Sequence, residues 1–479
     1  MATVITNVTE LQNMANDLAG DYELGNDIDA SATVGWNGGE GFEPVGHWAS
    51  AAFTGSLNGM GYTISNLTIN RTAASWTSDL QGLFGWVDGA TITNVNLAAV
   101  SITGRYYVGA LIGSDETGTE TVINCTSSGN VTGTRYVGGL AGVSLGTVSG
   151  CSSACIVAAS EHGIGGLAGD ALNATISDSY ATGSVSSPTS YNVGGFAGNV
   201  QGSTAITDCY ATGAVSARYN VGGFMGAIRN TATVTQCYAS GMVSGGSISA
   251  SSVGGFVGHI QNTAHITKSF ATGNVTAEGT GTTTGHGGFA GHGWGGTIED
   301  CYSRGNVTIT TPTGTDNCGG FLGYNNDALS GKVTVLYSYS TGAPSAVVVG
   351  GFVGKDDDGS YTACKWDTTT SGTSTACGDG TVTGVTGYTT TQLKSMDTII
   401  SNGWNTATIW TVATDINNGY PCLKWQVPVV PRQPEIIGDR TIINEKPVLE
   451  LIRNLEVQLD GRFYVSKSGI AVYESRYSR

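Results

Sequence analysis

Ten copies of one short phrase limit what this chain can fold into. They read GLFG at Gly82, VGALIG at Val108, VGGLAG at Val137, IGGLAG at Ile164, VGGFAG at Val193, VGGFMG at Val221, VGGFVG at Val253, GGFAG at Gly287, GGFLG at Gly319 and VGGFVG at Val349. Their closing glycines, from Gly85 to Gly354, are by subtraction 28, 29, 27, 29, 28, 32, 33, 32 and 31 residues apart. A steady period of this size belongs to stacked-repeat architectures, in which each unit buries its apolar face against its neighbours. Between copies runs a second phrase, such as ITDCYATGAVS from Ile206 and ITKSFATGNVT from Ile266. Each period thus holds about three short β-prone runs broken by Gly, Ser, Asn and Thr, and no helix-length apolar period occurs in it.

The expected fold is all-β: a parallel β-solenoid of about ten coils of 27–33 residues with N- and C-terminal caps, plus a small α+β module at the C terminus. Ten coils at the ~4.8 Å spacing of adjacent strands make a rod on the order of 50 Å long. Glycine accounts for 74 of 479 residues, and the repeat places it where a side chain would block a bend or the close approach of the next coil. The structural repeat glycines are Gly138, Gly139 and Gly142; Gly165, Gly166 and Gly169; Gly194, Gly195 and Gly198; Gly222, Gly223 and Gly226; and Gly254, Gly255 and Gly258.

These phrases resemble the GLUG-motif repeat proteins of bacterial and phage surfaces. The flanks are similar too, with YELGNDIDAS at Tyr22, FTGSLNGMGYTISNLTIN at Phe53, WDTTTSG at Trp366 and NGYPCLKWQ at Asn418, so that the resemblance covers residues 1–426. It implies a surface-displayed β-solenoid and names no chemistry.

Five segments follow: residues 1–80, an N-terminal cap and first irregular coils; 81–360, the repeat solenoid; 361–426, a C-terminal cap; 427–434, a Pro-rich linker; and 435–479, a helix and β-hairpin that would anchor the chain. Near the start, Leu11, Met14, Ala15 and Leu18 share one helical face with Thr9 placed as N-cap. A helical run is expected over residues 391–400. Trp366, Trp404, Trp410 and Trp425 are expected to cover the last coil. The composition changes after Pro431: residues 432–479 carry 8 of the 20 basic residues, leaving 12 against 29 acidic ones before them. Pro447 opens a helix with a stripe from Val448 to Leu459, and RFYVSKSGIAVYESR forms a hairpin turning at Ser468 and Gly469. The phrase LEVQLDGRFYVSKSGIAVYESRYSR resembles a segment of phage minor tail and tail-hub proteins.

Cysteines form a column at one repeat position, Cys125, Cys151, Cys209, Cys237 and Cys301, joined by Cys364, and other coils place Ser179, Ser269 and Ser338 there. Exchange with serine favours a ladder of free thiols; Cys364 and Cys377 are the pair to suspect of bridging. Ile206 and Cys209 are three apart and cannot both face inward from a flat strand, so either a corner lies between them or Tyr210 faces inward. Tyr180, Tyr210, Tyr238, Phe270, Tyr302 and Tyr339 form an aromatic column, read as core in preference to a sugar-stacking groove. Asp178, Asp208 and Asp300 recur one residue before the cysteine column as a solvent-facing ladder. Insertions at Ser244 and Thr276 lengthen later coils at one corner, where a contact face is expected.

Four histidines, His259, His265, His286 and His292, cluster without ligand spacing; Asn26, Asp27 and Asp29, and Asp356 to Asp358, read as turns in preference to cation sites. No catalytic, cofactor or metal residues are assigned. The net charge of −16 argues against nucleic acid. The start lacks a basic stretch followed by an apolar one, so either a signal peptide was replaced by Met1 or the protein leaves a cytosol inside a virion, the second fitting better.

The expected function is a non-catalytic structural or adhesive rod. The leading setting is a phage tail tip or fibre localised to the virion, with residues 435–479 binding other tail proteins and the solenoid meeting a host-surface glycan or protein. The alternatives are a secreted bacterial cell-surface adhesin and a polysaccharide-degrading tailspike. A homo-oligomer is compatible with all three.

Overall fold

The computed structural model describes all residues except 49, 116, 246–251, 280–283, 313, 327–330, 429–460, 466–470 and 476–479. Its two units are Met1–Val427 and Pro428–Arg479. The first is a parallel β-solenoid of about ten coils whose strands build two long sheets. One coil runs through Ala197–Gln201 and Ala205–Thr207 in the first sheet. It then turns into Tyr210–Ala211 and Val215–Gly222 in the second and re-enters the first at Met225–Ile228. A coil therefore has four or five strand segments, where the sequence shows three, because its longer runs are cut by corners.

Identical positions stack in register, as in Ile176, Ile206, Val234 and Ile266. The aromatic residue of the repeat phrase lies at the centre: Phe196, Phe224, Phe256, Phe289, Phe321 and Phe352 are fully buried, with ring centroids 4.7 to 4.9 Å apart. The repeat glycines flank this ladder with φ outside the left-handed region. What excludes a side chain is proximity: a Cβ on Gly195 would lie 2.2 Å from the Gly223 oxygen, and one on Gly198 2.2 Å from the Ile164 nitrogen.

The conflict between Ile206 and Cys209 resolves as a corner. Asp208 adopts a left-handed conformation with φ of 55°, and Ile206 and Cys209 are both buried. The same corner recurs at Asn94, Asn124, Gly150, Asp178, Gln236, Lys268 and Asp300. Asn, Asp and Gly tolerate this conformation, which explains the aspartates recurring one residue before the cysteine column.

At the N terminus, strand Thr3–Ile5 already pairs in parallel with Asp21–Leu24. The helix Val8–Asn13 between them is capped by Asn7, whose side chain accepts from the amides of Thr9 and Glu10, so Thr9 is the second helical residue and not the cap. Leu11 and Met14 are buried, Leu18 packs on the core and Ala15 is exposed. The long loops join Val243–Gly245 to Ser252–Gly254 and Val275–Ala277 to Thr284–Gly287, at one corner of the stack; segments 246–251 and 280–283 themselves lie outside the described residues.

Short helices Thr390–Leu393 and Met396–Ser401 occupy the region expected to be helical. Only Trp366 of the four tryptophans joins the solenoid core. Trp404, Trp410 and Trp425 pack with Tyr302 and Tyr339 in a second cluster on the outside of the coils. In the C-terminal unit, Gly461–Val465 pairs antiparallel with Ala471–Ser475. The helix expected from Pro447 and the turn at Ser468 and Gly469 lie outside the described residues.

Candidate functional site

The cysteine column is a structural device. Cys125, Cys151, Cys209, Cys237, Cys301 and Cys364 are buried and free, and so is Cys318. Each left-handed corner turns a backbone amide inward, and the side chain one coil on accepts it. The Cys125 amide donates to Cys151 Sγ at 3.4 Å, that of Cys151 to Ser179 Oγ at 3.0 Å and that of Cys237 to Ser269 Oγ at 3.1 Å. The same atoms donate to the carbonyl two residues back, as Ser179 Oγ does to Ser177 at 2.7 Å. From Cys125 onward the position is filled by a small side chain that both donates and accepts, which accounts for the exchange of Cys with Ser, whereas Val95 fills it one coil earlier. Burial pushes the Cys364 thiol up to about 12. The suspected Cys364–Cys377 bridge is absent: both are free, Cys364 in the second sheet and Cys377 in the first.

The tyrosine column faces outward, not into the solenoid core as expected, because Cys209 before Tyr210 and Ala211 after it both point inside. The six rings stack at 4.8 to 5.1 Å from Tyr180 to Tyr339. Its far end is a rail for the C-terminal cap. Tyr339 donates to the Pro421 oxygen, Gln426 donates to Tyr302, and Trp410 donates from Nε1 to Asp300 at 2.7 Å. Tyr302 and Tyr339 are buried there, whereas Tyr180, Tyr210 and Tyr238 remain half-buried. Asp300, expected to be solvent-facing, is covered by the cap, and burial raises it to about 6.

The acidic turns hold themselves together. Asp29 accepts from Ser31 and Asn66, Asp27 from the Thr63 amide, Asn26 donates to the Thr6 oxygen, and Asp356 accepts from Gly359 and Tyr361. Among the described residues no three His, Cys, Asp or Glu are arranged to hold a metal ion.

The histidines separate. His286 is fully buried at an inward position between Val253 and Cys318, and His265 lies 3.5 Å from Glu299. His259 and His292 stand opposite one another on adjacent strands, rings 5.3 Å apart, and both pack edge-on against Trp294. They form one bank of a groove of about 330 Å³ whose other bank is Tyr191, Asn192, Tyr219 and Asn220, with Arg229 and Gln261 completing it. Burial pushes His259 down to about 3 and His292 to about 4, so both rings are neutral at pH 7.

This groove terminates an aromatic stripe that sequence reasoning missed. From Trp76 the rings pass through His47, Trp48, Tyr107, Tyr136, His162 and Tyr191 to Tyr219, with successive centroids 4.8 to 6.4 Å apart. Trp48 and Trp76 are about half exposed, at 47% and 51%. The signal was an aromatic or histidine residue just before five consecutive copies of the repeat phrase, those at Val108, Val137, Ile164, Val193 and Val221. It was hidden because Tyr107 and Tyr136 occupy the residue directly before the valine, whereas His162, Tyr191 and Tyr219 sit one earlier.

A buried carboxylate pair lies away from these faces. Asp115 and Glu120 are both buried and line a small cavity of about 10 Å³ with Ile112, Val122, Leu140 and Val148. Asp115 takes an inward position beside Val87, and burial followed by the neighbouring Glu120 raises it to about 9.

The GLUG motif matches residues 160–186, 189–216 and 249–276, three stretches within the stacked coils. The chain carries GLUG repeats. Halomucin of Haloquadratum walsbyi is 42% identical over 158 residues, covering 32% of this chain and 2% of halomucin. The immunoglobulin A1 proteases of Streptococcus sanguinis and Streptococcus pneumoniae are each 29% identical over 227 and 230 residues, covering 44% of this chain and 11% of each protease. The chain thus spans a small fraction of the length of these relatives. A solved structure of a candidate immunoglobulin A1 protease from Bacteroides ovatus aligns over 88% of this chain and 92% of its own at 18% identity, with a TM-score of 0.33.

Proposed function

We propose that this chain is a non-catalytic, adhesive β-solenoid displayed outside a cell, as a secreted or surface-bound adhesin. The observation that carries this reading is the outward stripe from Trp76 to Tyr219 ending in a groove of unpaired polar groups. A protein serving only as a spacer gains nothing from half-exposed rings kept in one line along its coils, whereas a binding face does. The relatives support the setting, since one is named as a mucin and others act on immunoglobulin A1, a secreted antibody. They favour the cell surface over a virion tail, to which the C-terminal phrase and the character of the first residues point; the partnership of residues 435–479 with tail proteins belongs to that second setting.

Protease activity does not transfer from relatives of which this chain covers 11%. The non-catalytic reading draws on what these acids do: Asp115 and Glu120 are buried against a cavity of about 10 Å³, Asp300 holds the cap, and Asp170 accepts from Gln201 at 2.7 and 2.9 Å. To test it, the purified full chain is applied to mucin-coated surfaces and incubated with immunoglobulin A1 and soluble polysaccharides. Retention on the coat with all masses unchanged is expected. New fragments would overturn the non-catalytic reading, and absence of retention the adhesive one.

A further inference from the structure

Four polar atoms around the groove have no hydrogen-bond partner among the described residues: Arg229 Nε, His259 Nε2, His292 Nε2 and Trp294 Nε1. His259 is only 6% exposed and lines the groove. Buried polar atoms are seldom left unmatched, and four on residues that line one concavity mark a place where a ligand could complete the bonding.

Charge narrows the ligand. Among the described residues no carboxylate lines the groove, although the chain carries a net charge of −16. Arg229 makes no ion pair among the described residues; its guanidinium donates to the Asn199 side-chain oxygen at 3.2 Å. Asp170, an acid on which its charge acts, is buried, bonded to Gln201, and raised to about 7 by burial. A guanidinium with a donor still unmatched suits a carboxylate in shape and charge.

Shape narrows it further. Tyr191 and Tyr219 stack 5.2 Å apart and nearly parallel, Trp294 stands across the groove, and Asn192, Asn220 and Gln261 supply amides that both donate and accept. Asn220 donates to Asn192, which donates to Asn199, so these amides are held in one orientation. Flat aromatic faces beside fixed amides suit a pyranose, with its apolar ring face and vicinal hydroxyls.

We propose that this groove binds an acidic saccharide, its carboxylate on Arg229 and its ring against Tyr191, Tyr219 and Trp294, with a longer chain continuing along the stripe toward Tyr107 and Trp48. The proposal deepens the adhesive reading and rests on it only for where the sugar is met. Binding by purified protein can fail while the chain still labels a cell surface, so the two failures are distinguishable.

The test titrates the full chain with trigalacturonate and 3′-sialyllactose, and with their neutral counterparts galactotriose and lactose, following tryptophan fluorescence. At least one acidic sugar should bind with a dissociation constant below about 1 mM, and about tenfold more tightly than its neutral counterpart. Arg229→Gln should remove that preference, and Trp294→Leu should weaken both sugars. Saturation-transfer NMR on the unaltered protein supplies a readout free of folding effects, with transfer expected to the ring protons of the acidic sugar. Equal binding of neutral and acidic sugars, acidic binding unchanged in Arg229→Gln, poly-glutamate binding as well as the sugars, or no transfer would each overturn the proposal.

Discussion

Replacing Ser269 tests whether the cysteine column is a hydrogen-bonding device of the corner. Ser269 Oγ accepts the Cys237 amide at 3.1 Å and donates to the Thr267 carbonyl at 2.8 Å. In Ser269→Ala the carbonyl keeps its bond from the Gln236 amide, but the Cys237 amide is left without its acceptor in a buried corner. A buried donor stripped of its partner costs about 1–3 kcal/mol. At about 2 kcal/mol the local opening equilibrium rises about thirtyfold, since 1.4 kcal/mol is tenfold. Hydrogen exchange followed by mass spectrometry on peptides containing Cys237 should show that acceleration. Ser269→Cys, which keeps a small donor and acceptor as neighbouring coils do, should stay within a few-fold of the parent. If Ala and Cys at this position behave alike, the column does not work as described.

Asp115 has a folded pKa of about 9 against about 3.9 unfolded, so its proton favours the folded state. That contribution is complete below the unfolded value and is lost as pH rises toward 9, so Asp115→Asn should gain melting temperature over the parent progressively from pH 5 to pH 9. A gain that is flat across this range would contradict the assignment. Phe256→Ala removes a fully buried ring stacked on both sides and should cost about 3–5 kcal/mol in denaturant unfolding; Tyr180→Ala, half-buried at the open end of the outer ladder, should cost much less. Trp410→Phe leaves the Asp300 carboxylate without its indole donor and should loosen the cap by about 1–3 kcal/mol. Limited proteolysis should then cut faster within residues 389–427, with exchange in the coils around Phe224 unchanged.

The coil path was legible because glycine spacing and apolar alternation are local consequences of stacking. Two corner features were not. The inward placement of both Ile206 and Cys209 depends on the sign of φ at Asp208, which the side chain permits without announcing. The tyrosine column was visible as a column, but its face depended on that same corner. Its partial burial comes from residues far along the chain, with Trp425 5.7 Å from Phe270. The groove escaped because its banks come from different sheets: His259 and His292 from one, Tyr191 and Tyr219 from the other. Their meeting is a property of the coil's cross-section, which periodicity along the chain does not report.

The measurement that bears most directly on the proposed role is immunogold electron microscopy of intact, unpermeabilised cells producing this protein, using an antibody against residues 81–360. The adhesin reading predicts gold on the outer cell surface or in shed material around it, reduced by external protease. Gold that appears only after permeabilisation, or only on the tails of phage particles, would contradict it.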